Sequence, residues 1–222
     1  DVLNTGDEPQ RLPLARLHSP IARSLEELQK GNPAYFEKSL PARLHWRMFP
    51  EFRARTAFLD IETTGLDVDA GQITTIVLFD GQRIFHYVQG ENLEAFEEDI
   101  LNYRVIVTYN GKTFDLPFLE RYFRMRIPAA HIDLRYVLHA LGYKGGLKAC
   151  ETRLGIHRGA LQGVDGFFSV LLWADYIQNK NSRALETLLA YNIADAVNLE
   201  TLMVMAYNMN LKGTPFEGRL EI

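Results

Sequence analysis

Four acidic positions in this chain stand at the ends of apolar elements, where a carboxylate is costly unless it binds something. Asp60 and Glu62 lie in Phe58-Leu59-Asp60-Ile61-Glu62-Thr63-Thr64-Gly65-Leu66. Residues i and i+2 of a strand project from one face, so these carboxylates would repel each other unless a cation neutralised them. Gly65 would let the backbone approach a ligand just past the strand end, where open α/β sheets place their sites. Taken alone, the pair reads equally well as solvated acids at a strand-end turn. Asp115, in Tyr109-Asn110-Gly111-Lys112-Thr113-Phe114-Asp115-Leu116-Pro117, falls between a strand and a helix. By itself it reads as an N-cap with Pro117 in the first turn. Asp195 sits among Ile193, Ala194, Ala196 and Val197, and Tyr191, four residues earlier, shares its helical face. Asp has poor mid-helix propensity, so its place there means function or a surface position. Tyr191 alone reads as a core aromatic whose hydroxyl reaches solvent.

Together the four acids form an oxygen-rich donor set. The six histidines show no metal-ligand spacing and Cys150 is the one cysteine, so the set suits Mg²⁺ or Mn²⁺ rather than zinc. Two such ions, roughly 3.5 to 4 Å apart, would activate a water and stabilise the leaving oxygen of a phosphodiester.

The elements that must hold these residues follow from the apolar pattern. Thr56 to Ile61, Gln72 to Phe79 and Arg83 to Val88 read as three strands of a meander, with Asp80-Gly81 as a hairpin turn. Leu93 to Leu101 has helical spacing, Val105 to Tyr109 is a fourth strand and His131 to Asp133 a short fifth. Helices are expected at Asp115 to Phe123, Leu134 to Leu141, Leu147 to Leu154, Phe167 to Gln178, and Arg183 to about Met209. The fold class is α/β, a mixed sheet with helices on both faces. Before Arg55, six of the nine prolines break the chain, so this stretch is expected to hold only short helices such as Ser24 to Gln29. It is read as an arm, residues 1–55, packed on a body of residues 56–222.

With 222 residues, 47% hydrophobic and 23% charged, the chain falls in the range of globular proteins, which excludes wholesale disorder and fibrous repeats. No apolar run approaches the roughly 18 residues that span a bilayer, and the N-terminus lacks a signal-peptide pattern. One cysteine excludes an internal disulfide framework, so a reducing, cytoplasmic setting is expected. The net charge of −4 is unevenly placed: residues 11–55 carry +5. Such a basic arm would steer a polyanion, or would simply be a solvated surface. In the first case, deleting the residues before Arg53 should weaken long substrates more than it slows short ones.

FLDIETTGL, YNGKTFDLPFL and YNIADAVNLETL resemble, in order and separation, the three motifs of the DEDD 3'-5' exonucleases of the ribonuclease H-like superfamily, in particular the YprB-type ribonuclease H-like proteins. The likeness covers about Thr56 to Tyr207. It implies a five-stranded sheet with strand two antiparallel to the rest. It implies two Mg²⁺ or Mn²⁺ ions held by Asp60, Glu62, Asp115 and Asp195, with Asp60 bridging both and Asp115 holding the second directly or through water. Tyr191 would position the attacking water, which makes this the tyrosine subtype; the histidine subtype has its base where Ala190 stands. A phenol with a pKa near 10 is a poor general base, so Tyr191 would orient a water that the metal acidifies. Thr63, Gly65 and Leu66 match positions that contact the terminal nucleotide. Asn110 and Lys112 match the polar part of the second motif, and Lys148 lies on a helix that meets backbone phosphates.

The activity implied is removal of nucleoside monophosphates from the 3' end of single-stranded or frayed DNA or RNA. Its rivals are an inactive nucleic-acid-binding or scaffold module of the same fold, and a phosphohydrolase of small nucleotides. Asp133 is expected to be a cap or outer-shell residue, Asp165 a turn residue, and Cys150 a buried thiol. Trp46, Trp173, Phe167 and Phe168 are expected to be packing residues.

Overall fold

The computed structural model describes residues 14–157, 166–212, 214–215 and 218–221. Its sheet has five strands: β1 (Thr56–Thr63), β2 (Ile73–Phe79), β3 (Ile84–Val88), β4 (Val105–Thr108) and β5 (Ala130–Asp133), in the order β3-β2-β1-β4-β5. β1 is parallel to β4 and β4 to β5, whereas β2 runs antiparallel to both of its neighbours. The implied orientation of strand two is therefore present.

Alternation along β1 divides the core. Ala57, Leu59 and Ile61 pack with Ile76, Leu78 and Ile106 under α4 (Phe96–Asp99) and α5 (Asp115–Tyr122). Phe58 faces the other way, with Val105, Val107 and Ile132, under α6 (Leu134–Ala140), α7 (Leu147–Leu154) and α9 (Ser182–Leu211). α8 (Gly166–Asn179) pairs with α9 and places Trp173 against Leu188. The helical spacing at Leu93 to Leu101 resolves into α4 flanked by two single 3-10 turns. Asp60 and Glu62 share the face of Phe58, and that face is crossed by α9.

One expectation for the N-terminal segment is corrected. α1 spans Leu14–Gln29, sixteen residues with Pro20 inside, rather than a short helix after the proline. The ring removes one helical hydrogen bond, but Leu28 of this helix packs on the core, and tertiary burial overrides a local breaker. The segment also packs on the body. After α2 (Pro33–Ser39), a 3-10 helix over Ala42–Met48 and α3 (Phe49–Phe52) place Trp46, Met48, Phe49 and Phe52 among the buried core residues. Glu37 accepts the His131 backbone N–H at 3.1 Å, and His45 Nδ1 lies 3.0 Å from the His131 carbonyl. These contacts satisfy β5, an edge strand whose backbone would otherwise be open.

Two of the described basic residues of this segment are paired away from the carboxylates. Arg53 pairs with Glu200 at 2.9 Å and Lys30 with Glu26 at 2.6 Å. Arg55 leads into the start of β1, five residues or roughly 17 Å of strand before Asp60.

Candidate active site

Three elements bring the acids together at the C-terminal ends of the parallel strands. β1 supplies Asp60 and Glu62, and α9 supplies Asp195; one carboxylate oxygen of each lies within 4.8 Å of the others. A register shift between Glu62 and Thr63, where the partner moves from Thr75 to Ile73, bends the sheet at this point. Tyr191 is one helical turn before Asp195 and is 2% exposed. The Lys148 ammonium, from α7, stands 4.4 Å from its ring centroid.

Asp115 reaches the same place from the start of α5, after β4. It does not cap the helix: Phe114 occupies the N-cap and no side-chain cap bond forms. The carboxylate instead takes hydrogen bonds from its own N–H and from Ile61 N–H. That donor lies beyond Phe58↔Val107, the last pairing of β1 with β4. Asp115 stands beside the trio of Asp60, Glu62 and Asp195 rather than within it, and its charge acts on both β1 acids.

The electrostatics are those of crowded, desolvated like charges. Burial, then the charges of Asp195, Asp115 and Glu62, hold Asp60 well above the usual carboxylate range. Burial and Asp195 push Glu62 up to about 8, against the Ser169 hydroxyl and the Lys148 charge, which pull it down. Burial pushes Asp115 up to about 7 despite its two backbone donors. Such a cluster binds protons or a cation, and an all-oxygen set of this size fits a hard divalent ion.

Three polar residues of the site were not found by reading the sequence. Asn192 is fully buried and donates from Nδ2 to Asp60 Oδ2 at 2.6 Å. Its Oδ1 accepts from Thr75 Oγ1 at 2.9 Å, which fixes which way the amide faces. Ser169, on α8, is 2% exposed and faces Glu62. The available signals were an amide three residues before Asp195 and two threonines inside the apolar run of β2.

The remaining expected residues lie around this centre. Thr63 is buried and donates to the Gly65 carbonyl at 2.7 Å, which tightens the turn after β1. A Cβ on Gly65 would meet nothing within 4 Å, so the glycine leaves open space there. Leu66 is 84% exposed. Asn110 adopts φ 68°, and its side-chain oxygen accepts from Arg135 and from Thr113. Gly111 has no substitute, because a Cβ would fall 2.7 Å from that of Thr108. Lys112 is not drawn to the carboxylates; its ammonium rests 5.8 Å from the Tyr136 ring centroid on α6.

Asp133 is the N-cap of α6 and accepts from the N–H groups of Arg135, Asn110 and Lys112 at 3.0, 2.8 and 3.1 Å. It shapes the turn after β4. Cys150 is buried, as are Trp46 and Trp173. Phe167 and Phe168 are 70% and 40% exposed at the start of α8, beside Ser169. Asp165 lies outside the described residues.

A family described as the RNase_H superfamily matches residues 57–207. The chain belongs to this superfamily. The match spans all three motifs and every acid of the site, in agreement with the resemblance read from the sequence. No curated protein matches the chain. Among solved structures, the family B DNA polymerase of the archaeon Pyrobaculum calidifontis is 15% identical with a TM-score of 0.52, over 71% of this chain. This chain spans 24% of the polymerase's length. Brucella melitensis NrnC bound to pGG is 17% identical with a TM-score of 0.51, over 74% of this chain and 77% of NrnC. At these identities the likeness is one of fold. No described helix is long and apolar enough to cross a membrane.

Proposed function

We propose that this chain is a metal-dependent 3'-5' exonuclease of the DEDD type and tyrosine subtype, which removes nucleoside monophosphates from the 3' end of single-stranded or frayed nucleic acid. The observation that carries the reading is the convergence of Asp60, Glu62 and Asp195, from two elements far apart in sequence, with Tyr191 on the same helix as Asp195. Asp60, Glu62 and Asp195, with Asp115 beside them, are the residues that would hold two Mg²⁺ or Mn²⁺ ions. When bound, the ions acidify a water and stabilise the leaving oxygen.

The chain's own residues do the rest. Asn192 fixes one oxygen of Asp60 and leaves the other for a cation, as outer-shell donors do. Tyr191 orients the attacking water, and Lys148 beside it offers positive charge to the scissile phosphate. Thr63, Gly65 and exposed Leu66 receive the terminal nucleotide at the open end of β1. Asn110 and Lys112 lie along the path of the strand. NrnC, whose structure with pGG shares the fold, supports a nucleic-acid substrate. The division into residues 1–55 and a catalytic body of 56–222 belongs to the same proposal, with the N-terminal segment serving the fold through its core side chains.

The test is a gel assay of 5'-labelled single-stranded DNA and RNA with Mg²⁺, with Mn²⁺ and with EDTA, beside Asp60→Ala. A ladder shortening from the 3' end, dependent on metal and absent in the variant, is expected. No cleavage of either polymer in either metal would overturn the reading in favour of a binding module.

A further inference from the structure

α9 carries a polar stripe: Tyr191, Asp195 and Asn198 fall at i, i+4 and i+7, and so lie one above the other on the helix. Two of the three belong to the chemistry above. Asn198 does not, and neither does the residue that it meets. Its Nδ2 donates to Glu151 Oε1 of α7 at 2.9 Å. Glu151 is 1% exposed, a depth at which a carboxylate is costly and a leucine would pack. Its neighbours in α7 show the apolar alternative: Leu147, Cys150 and Leu154 join the cluster that holds Leu199, Leu202 and Met203 of α9. A buried acid in that company calls for a reason other than burial.

The reason lies one turn earlier. Apolar packing is non-directional, so it holds α7 against α9 without fixing how far α7 slides or turns, whereas a hydrogen bond has a direction. Glu151 and Lys148 are three residues apart on α7 and share a side of it. The Lys148 ammonium stands 4.4 Å from the Tyr191 ring centroid, and its charge reaches Glu62. Lys148 with Tyr191, and Glu151 with Asn198, therefore meet α9 at the two ends of the stripe, with Asp195 between them. Lysine carries its charge on a flexible four-carbon stem, so the place of the ammonium depends on where α7 sets the root of that stem. α7 has eight residues, roughly 12 Å of helix, and a small rotation of so short an element moves Lys148 directly.

We propose that Glu151 is a positioning residue: its hydrogen bond with Asn198 sets α7 on α9 so that the Lys148 ammonium stays over Tyr191, beside the carboxylates. Its kinetic consequence rests on the exonuclease reading, in which Lys148 offers charge to the scissile phosphate; the placement of Lys148 itself does not. Glu151 touches neither substrate nor metal in this role and acts through Lys148 alone.

The experiment compares wild type with Glu151→Leu, Glu151→Gln and Asn198→Ala. Leucine fills the space of the acid, and replacing a buried charge by an apolar side chain is often neutral for stability, so cooperative melting should be kept. Asn198→Ala breaks the same bond from a half-buried position and serves in its place if Glu151→Leu does not fold. The first readout needs no catalysis: in metal-free protein the Tyr191 ring shields the Lys148 side-chain protons, and their upfield NMR shift should be lost in Glu151→Leu and Asn198→Ala. The second is kinetic. Both variants should lose about 10- to 100-fold, mainly in kcat, with Mn²⁺ affinity nearly unchanged. Glu151→Gln, which keeps an oxygen for the Asn198 amide, should restore most of the shift and of the rate. In a Lys148→Met background, Glu151→Leu should cost nothing further, because the two residues act as one unit. An unchanged Lys148 shift in both bond-breaking variants overturns the positioning role, and so does an undiminished loss of kcat in the Lys148→Met background. If wild type cleaves neither DNA nor RNA yet the Lys148 protons still move, the exonuclease reading fails and the positioning role stands.

Discussion

Replacing Asn192 with leucine asks whether Asp60 is held in place for a cation. The amide donates to Asp60 at 2.6 Å in a fully buried position. A hydrogen bond to a charged group contributes about 1.5 to 3 kcal/mol. Outer-shell partners of metal ligands affect metal affinity by about 10- to 100-fold, or about 1.4 to 2.7 kcal/mol, so the two estimates agree. Mn²⁺ affinity, measured by calorimetry, should therefore fall by about 10- to 100-fold. The direction of its pH dependence follows as well. Asn192 lowers the pKa of Asp60, so without it Asp60 keeps its proton to higher pH and competes longer with the ion. The loss should be larger at pH 6.5 than at pH 8.5. Leucine also strands the Thr75 hydroxyl, at a cost of about 1 to 3 kcal/mol in stability, so Thr75→Val is the control for that term. An Asn192→Leu protein that folds and binds Mn²⁺ like wild type at both pH values would refute the reasoning.

Asp60→Ala and Asp195→Ala should abolish cleavage while the metal-free protein stays folded, because each removes a like charge along with a ligand; activity retained in either would sink the two-metal assignment. Tyr191→Phe should slow turnover with Mn²⁺ affinity nearly unchanged, and a loss of affinity would show that the hydroxyl supports the metal instead. Glu62 and Asp115 are raised to about 8 and about 7, while unfolded carboxylates titrate near 4. The folded state then holds more protons than the unfolded chain up to pH 8, and metal-free stability falls as pH rises. His131, lowered to about 4, works in the opposite sense mainly below its unfolded value of 6.5, so the carboxylates dominate the window from pH 6.5 to 8.5. In EDTA the Tm should drop across that window by about 2 to 4 °C per kcal/mol, and added Mg²⁺ should raise Tm more at pH 8.5 than at 6.5. A rising metal-free Tm would contradict the raised pKa values. Deleting the residues before Arg53 should abolish cooperative melting rather than weaken long substrates selectively, because it removes four large buried side chains at about 3 to 5 kcal/mol each.

What could be read from the sequence is what repeats along one element. The strand period put Asp60 and Glu62 on one face, and the helical period put Tyr191 and Asp195 on another; neither needed knowledge of what packed opposite. The side chains that hold these residues answer to contacts between elements. Asn192 in a helical stretch reads the same whether it faces water or Asp60, until α9 is laid across β1. Thr75 reads as an ordinary strand residue until Asn192 arrives above it. The same limit explains the N-terminal segment. Its prolines are local signals: Pro33 and Pro41 stand at the starts of elements while Pro20 lies inside α1, and none of them carries information on whether the pieces between them are buried. Trp46, Phe49 and Phe52 were the evidence for burial, since a solvated arm has no use for large aromatics at three such close positions. That segment satisfies β5 through Glu37 and His45, and β5 ends in Asp133, which pins the backbone of Asn110 and Lys112. A chain of contacts therefore runs from the N-terminal segment to the turn after β4. Substitution of Glu37 should loosen that turn and reach the active site only through it, which separates a structural role for the segment from electrostatic steering of the substrate.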